Sequence, residues 1–168
     1  TYAGAIVGID AAAVTVEVNI AGGGLGMYLV GLPDSAVKES EQRIRAAFEN
    51  SGERMSGRKV VVSLAPADLR KEGSRYDLPI ALALVGAMGI IDAELVGEYV
   101  AVGELALDGR IAASPGVLLA ALHASATGKG LICPAAQGAE AAWAGGIDVI
   151  AAPDLLTLLN HLKGNGRL

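Results

Sequence analysis

Within eight residues, from Arg70 to Asp77, the chain places Arg70, Lys71, Glu72, Ser74, Arg75 and Asp77, between a β-branched run and an apolar one. Three chemistries are open to that set. Ser74 with Asp77 three residues on, and Pro79 just after, has the pattern of a helix cap, in which side-chain oxygens take up the unpaired N–H groups of a helix start. Ser74 with Lys71 as its base has the residue types of a Ser–Lys acyl-transfer dyad. Arg70, Lys71 and Arg75 together suit docking to an anionic partner. Local chemistry favours the cap over docking, and docking over catalysis.

A loop of this kind acts only if rigid elements hold it on both sides. Arg58–Leu64 reads as the strand before it and Leu78–Ala87 as the helix after it. Upstream, Ala3–Ile9 and Ala12–Ile20 read as strands, the second alternating Val14, Val16, Val18 and Ile20 with Thr15, Glu17 and Asn19. Gly22-Gly23-Gly24 predicts a hairpin turn into a third strand, Gly26–Val30. Asp34 predicts the N-cap of a helix running to about Asn50 and ended by Gly52. Its apolar face is Val37, Ile44, Ala47 and Phe48, with Lys38, Glu41, Arg45 and Glu49 largely opposite. Downstream, strands are expected at Tyr99–Leu107, Arg110–Ala112, Gly130–Cys133 and Asp148–Ala151. Helices are expected at Gly116–Thr127, Ala135–Ala144 and Asp154–Leu162. N-terminal hairpins imply antiparallel pairing, and the later alternation of strand and helix implies parallel pairing. The expected architecture is therefore α/β (α+β), one domain over 1–164, with helices packed on a mixed sheet that carries N-terminal antiparallel hairpins.

Composition narrows the function classes. Hydrophobic residues are 52%, charged residues 18% and aromatics 4%, which excludes disorder and predicts a core of Val, Ile, Leu and Ala. The net charge of −5 argues against a strongly basic nucleic-acid domain. Yet Lys38–Arg75 holds nine of the 13 basic residues, Lys38, Arg43, Arg45, Arg54, Arg58, Lys59, Arg70, Lys71 and Arg75, against six acidic ones. The longest apolar run, Leu78–Ile91, falls short of the roughly 18–20 residues of a spanning helix, so no membrane partner is expected. One cysteine, Cys133, rules out an internal disulfide and, without a charged leader, suits the cytoplasm. An opening Thr1 rather than Met is expected of a segment of a longer protein.

Cofactor motifs fail on spacing. After Gly22-Gly23-Gly24, Met27 occupies the place of the third glycine of a dinucleotide loop, and no helix follows. His123–Gly130 lacks the first glycine and the final Ser/Thr of a phosphate loop and lies between a helix and a strand, so Gly128 reads as a helix C-terminal residue. His123 and His161 stand apart from other ligand types, and Cys133 reads as a core thiol. The chain alone is expected to hold no cofactor and no metal.

Several motifs in order resemble one family, the ComM/YifB group of magnesium-chelatase-like AAA+ ATPases. They are Gly31-Leu-Pro-Asp-Ser-Ala-Val-Lys-Glu-Ser40, Arg43 with Arg45-Ala-Ala47, Asn50-Ser-Gly52, the run Leu64 to Ser74, Asp77-Leu-Pro-Ile-Ala81, Gly103-Glu-Leu-Ala-Leu-Asp-Gly109 and Gly116-Val-Leu118. Pro134 and Glu140-Ala141 fit a later motif. The resemblance implies an N-terminal Lon-protease-like domain, a βαβ superfold with a left-handed crossover, whose linker to an ATPase module would begin at 165–168. It implies ATP and Mg for that module, and as partners the module itself, DNA and further copies in a hexamer. The family's role is linked to DNA branch migration in natural transformation.

The same resemblance bears on catalysis. Laid without gaps on the Lon nucleophile loop, Lys71–Asp77 puts Arg75 at the nucleophile. Lon spacing from Gly103 puts Leu118 at the catalytic lysine. Sliding by one to use Ser74 restores no base, because no Lys or Arg lies between Arg110 and Lys129. The expectation is a non-catalytic accessory domain, with Arg70, Lys71, Arg75, Lys38, Arg43 and Arg45 as a contact surface and Ser74 and Asp77 as a helix cap. The alternative is a Lon-type Ser–Lys peptidase using Ser74.

Overall fold

The computed structural model describes residues 6–22, 24–53 and 57–164. Residues 3–5 of the expected first strand, Gly23, Arg54 and the expected linker at 165–168 lie outside the described residues.

Alternating β-branched residues build the sheet. Strands β1 (Ile6–Ala11) and β2 (Val14–Ala21) form an antiparallel hairpin with Ile9 opposite Val16. On the far side of β2 lies β4 (Lys59–Ala65), antiparallel, with Val62 opposite Val18 and Leu64 opposite Val16. Every second side chain points to one face, so Val7, Ile9, Val16, Val18, Val62 and Leu64 are all buried there. β5 (Tyr99–Ala101) runs parallel to β1, followed by β8 (Gly130–Pro134) and β9 (Val149–Ala152), each parallel to its neighbour. With β3 (Met27–Val30) the order is β3-β4-β2-β1-β5-β8-β9, a seven-stranded mixed sheet as expected.

The second N-terminal hairpin is not formed. β3 pairs with β4, in parallel, and β4 stands between it and β2. The buried row Val60, Val62 and Leu64 matches the valines of β2, whereas β3 exposes Tyr28 and Val30 and suits an edge. The crossover from β3 to β4 carries α1 (Ser35–Lys38) and α2 (Ser40–Asn50), two helices where one was expected. Between them the carbonyl of Ala36 accepts from Arg43 Nη2, and Gln42 N turns back to Glu39 O.

One helix organises the core. α3 (Asp77–Ala87) is buried from Asp77 to Gly86, lying on β1 and β2 with α2 and α4 (Ala93–Val96) beside it. An all-apolar helix has no solvent face, which is why its sequence lacks a polar stripe. Burying Leu78, Ile80, Leu82 and Leu84 contributes about 1.5–3 kcal/mol each. The other face of the sheet is covered by α5 (Val117–Thr127) and α6 (Gly138–Ala141), whose Val117, Ala120, Ala121 and Ala141 share a core with Val100, Leu131 and Cys133. α7 (Leu155–Leu162), capped by Asp154, packs against α2 and β9.

Two further elements are interrupted. The strand expected at Tyr99–Leu107 leaves the sheet after Ala101, and β6 (Glu104–Leu105) pairs instead with β7 (Ile111–Ala112). The helix expected at Ala135–Ala144 is three short turns with α6 in the middle. There Gly138 lets Ala151 approach to 2.8 Å of the place a Cβ would take.

Gly31 sets where the chain enters the crossover. Its φ is +114°, and a Cβ there would lie 2.1 Å from the carbonyl oxygen of Leu64. Gly31→Ala should therefore cost more than about 3 kcal/mol or prevent folding. Gly52→Ala, at φ +77° in open space, should cost only about 1 kcal/mol. Urea denaturation of the two variants measures the difference.

Candidate functional site

The segment between β4 and α3 is held by backbone contacts first. Lys71 N donates to Leu32 O at 3.0 Å, and Asp34 N donates to Lys71 O at 2.9 Å. Asp34 then serves two places at once: Oδ1 accepts from Val37 N at 2.8 Å, capping α1, and Oδ2 accepts from Gly73 N at 3.0 Å. The slight burial of its carboxyl would raise its pKa. The N–H groups of Val37 and Gly73 and the charge of Arg70 outweigh this and hold it below the ordinary 3.8.

The far end is held by Asp77. Its carboxylate accepts from Ser40 Oγ at 2.8 Å, Arg43 Nε at 2.6 Å, Arg43 Nη2 at 3.0 Å and Leu105 N at 3.0 Å. Burial holds the Asp77 carboxyl above its ordinary value, and the bonds from Arg43, Ser40 and Leu105 pull it only part of the way back. The hydrogen bond to Asp77 raises the Arg43 guanidinium. Desolvation offsets much of the attraction in such a pair, so its value lies in geometry. Removing one partner would leave a bare buried charge at a cost of about 3–5 kcal/mol.

These contacts correct several expectations. Ser74 and Asp77 do not form a capping box. A 3-10 turn, Ser74–Tyr76, intervenes, Gly73 precedes it without a side-chain cap, and Asp77 is already inside α3 with its carboxylate turned to Arg43. Ser74 Oγ donates to Glu104 Oε1 at 2.7 Å. Lys71 is not on a surface: it is fully buried, and its Nζ donates to the carbonyl of Pro66. Arg43 is also withdrawn, its side chain 16% exposed and spent on Asp77. Among the described residues no hydrogen bond joins Ser74 to Lys71.

Four of the expected contact residues remain accessible. Lys38 is exposed. Arg45 is exposed and pairs with Glu41 at 2.8 Å. Arg70 is exposed and lies 3.3 Å from Glu72. Arg75 is half-buried over the ring of Tyr76, 5.8 Å from its centroid. Its Nη1 stands 3.2 Å from where a Cβ on Gly116 would be, at the start of α5. Leu118, 39% exposed, is two residues further on, so Arg75 and Leu118 lie on adjoining elements.

The partners that sequence reasoning missed are Ser40, Glu104 and the Leu105 amide. One signal was present. Ser40 and Arg43 recur at helical spacing beside the apolar stripe of α2, and Asp77 heads a helix with no other charge, so each needed a buried counterpart.

The readings of Gly128 and Cys133 hold. Gly128 ends α5 in the left-handed region, its N–H on Ser125 O and that of Lys129 on Ala124 O. Cys133 is buried, and burial with the charge of Glu140 pushes its thiol up to about 11. Among the described residues no group of three or more His, Cys, Asp or Glu is placed to hold a metal, and no helix is long and apolar enough to cross a membrane.

The family model described as subunit ChlI of Mg-chelatase matches residues 16–137. YifB of Escherichia coli is 40% identical over 164 residues, 98% of this chain and 32% of its own length. Competence protein ComM of Haemophilus influenzae is 37% identical over 167 residues, 99% of this chain and 33% of its own. An uncharacterised protein of Mycobacterium tuberculosis is 38% identical over 162 residues, again 32% of its own length. The chain thus spans about a third of the length of the curated relatives it matches.

Truncating the buried Lys71 to Ala should cost about 2–4 kcal/mol in denaturant unfolding, where an exposed docking residue such as Arg70 should cost under about 0.5 kcal/mol. Asp34 gives a pH signature. A carboxyl held below 3.8 in the folded state stabilises the fold above that pH. It loses the contribution as the pH falls toward its folded value, because the unfolded chain takes up the proton first. Stability measured across this range should show that slope in the wild type, and Asp34→Asn should flatten it.

Proposed function

The chain belongs to the family described as subunit ChlI of Mg-chelatase, and from that premise we propose that it is a non-catalytic accessory domain of a ComM/YifB-like AAA+ ATPase. In this reading it precedes the ATPase module, has a Lon-like fold, and acts in the cytoplasm in assembly, regulation or DNA guiding. ATP and Mg belong to the module. The module, DNA and neighbouring copies in a hexamer are the partners, and the process is DNA branch migration in natural transformation; the name of the competence relative supports the competence setting.

The observation that carries the reading is the way the 64–82 segment is spent. Its serine is engaged by Glu104 and its lysine by Pro66, while Arg70 and Arg75 are left at the surface of a backbone-anchored loop. A Ser–Lys dyad needs the lysine as base on the serine, and a buried amine donating to a carbonyl does not supply one. A firmly held loop that presents cations suits recognition better.

In the whole ATPase, Arg70→Ala with Arg75→Ala should reduce ATP hydrolysis several-fold, with duplex DNA and without it, while leaving the thermal unfolding of the domain unchanged. Unchanged hydrolysis would remove the contact-surface role. A serine-reactive fluorophosphonate that labels the wild type but not Ser74→Ala would overturn the non-catalytic assignment in favour of the peptidase.

A further inference from the structure

Beside this segment lies a cavity of about 190 Å³ whose lining is apolar except at one point. Ala12, Val14, Tyr76, Val102 and Ala120 line it, and Leu69 and Leu119, 43% and 68% exposed, stand at its mouth. A recess near the about 150 Å³ that holds a benzene has room for one aliphatic or aromatic side chain. The exception is Arg75. Among the described residues it forms no ion pair: its Nε meets only the Glu72 carbonyl oxygen at 3.4 Å, and its guanidinium abuts Gly116. Gly116 gives α5 no side-chain cap, so an unneutralised cation faces the positive end of an 11-residue helix.

We propose that this recess docks an acidic segment of a protein partner, which inserts one aliphatic side chain between Leu69 and Leu119 and sets a neighbouring carboxylate on Arg75. The proposal rests on the contact-surface reading above and gives the partner its chemistry. Charge complementarity selects the occupant: the guanidinium and the helix start both need an anion, and the recess beside them needs an apolar group. A DNA phosphate would satisfy Arg75 and leave the recess empty, and the nearby Arg70 already faces Glu72 at 3.3 Å.

The test titrates this chain, followed by amide NMR, with the peptide acetyl-Gly-Ser-Glu-Asp-Leu-Asp-Glu-Ser-Gly-amide. Two control peptides replace its leucine by alanine or its acids by their amides. The expected result is shifts confined to the neighbourhood of Leu69, Tyr76, Val102, Gly116 and Leu119, with both controls at least about fivefold weaker. Arg75→Gln should abolish the difference between the acidic and neutral peptides. Leu119→Trp, at an exposed position where folding is not at risk, should obstruct the mouth and weaken all binding. The proposal is overturned by no shift at about 2 mM peptide, by shifts elsewhere, or by equal binding of the neutral peptide. It is also overturned if a duplex of about 20 base pairs displaces the peptide from the same amides. If the peptide fails while Arg70→Ala with Arg75→Ala still reduces hydrolysis by the whole ATPase, only the partner chemistry falls and the contact-surface reading stands.

Discussion

The buried ion pair between Arg43 and Asp77 is the contact on which the arrangement around the 64–82 segment turns. Asp77 opens a helix that is otherwise wholly apolar and buried, so its carboxylate cannot reach water and must be met inside. Arg43 from α2, Ser40 from the same helix and the Leu105 amide meet it together. The consequences extend outward. Arg43 also takes the Ala36 carbonyl at the break between α1 and α2, and the Leu105 bond holds β6 beside the start of α3 rather than in the main sheet.

A second carboxylate, Asp34, does for the front of the segment what Asp77 does for the back. It caps α1 and holds Gly73, so the loop is fastened to the β3–β4 crossover before the 3-10 turn begins. With both ends tied, Lys71 is drawn inside and the remaining cations are set apart by role. Arg70 faces solvent, and Arg75 lies across to α5 beside an apolar recess. A segment composed like a nucleophile loop thus has its serine and lysine engaged by Glu104 and Pro66, and Arg70 and Arg75 are its accessible cations.

How much of this was legible depends on the range of each interaction. The valine alternation of β2, the strand at β4, the cap at Asp34 and the glycine end of α5 are local, and all were readable. The pairing of β3 was not: three glycines looked like a hairpin, and only the better match of β4 to the β2 valines displaces it. Ser74 and Asp77 were misread for the same reason. At helix-cap spacing a local explanation was complete by itself, yet the true partners of Asp77, Ser40 and Arg43, lie 37 and 34 residues away. Lys71 looked like a surface cation because lysine usually is one, and its burial follows from backbone pairing with Leu32 and Asp34 that no local pattern announces.

A double-mutant cycle on Arg43→Met and Asp77→Asn, read by equilibrium unfolding in denaturant, tests most directly whether this pair holds the segment. The two losses should be coupled, the double variant being less destabilised than their sum by about 1–3 kcal/mol. Losses that simply add, within about 0.5 kcal/mol, would contradict the account.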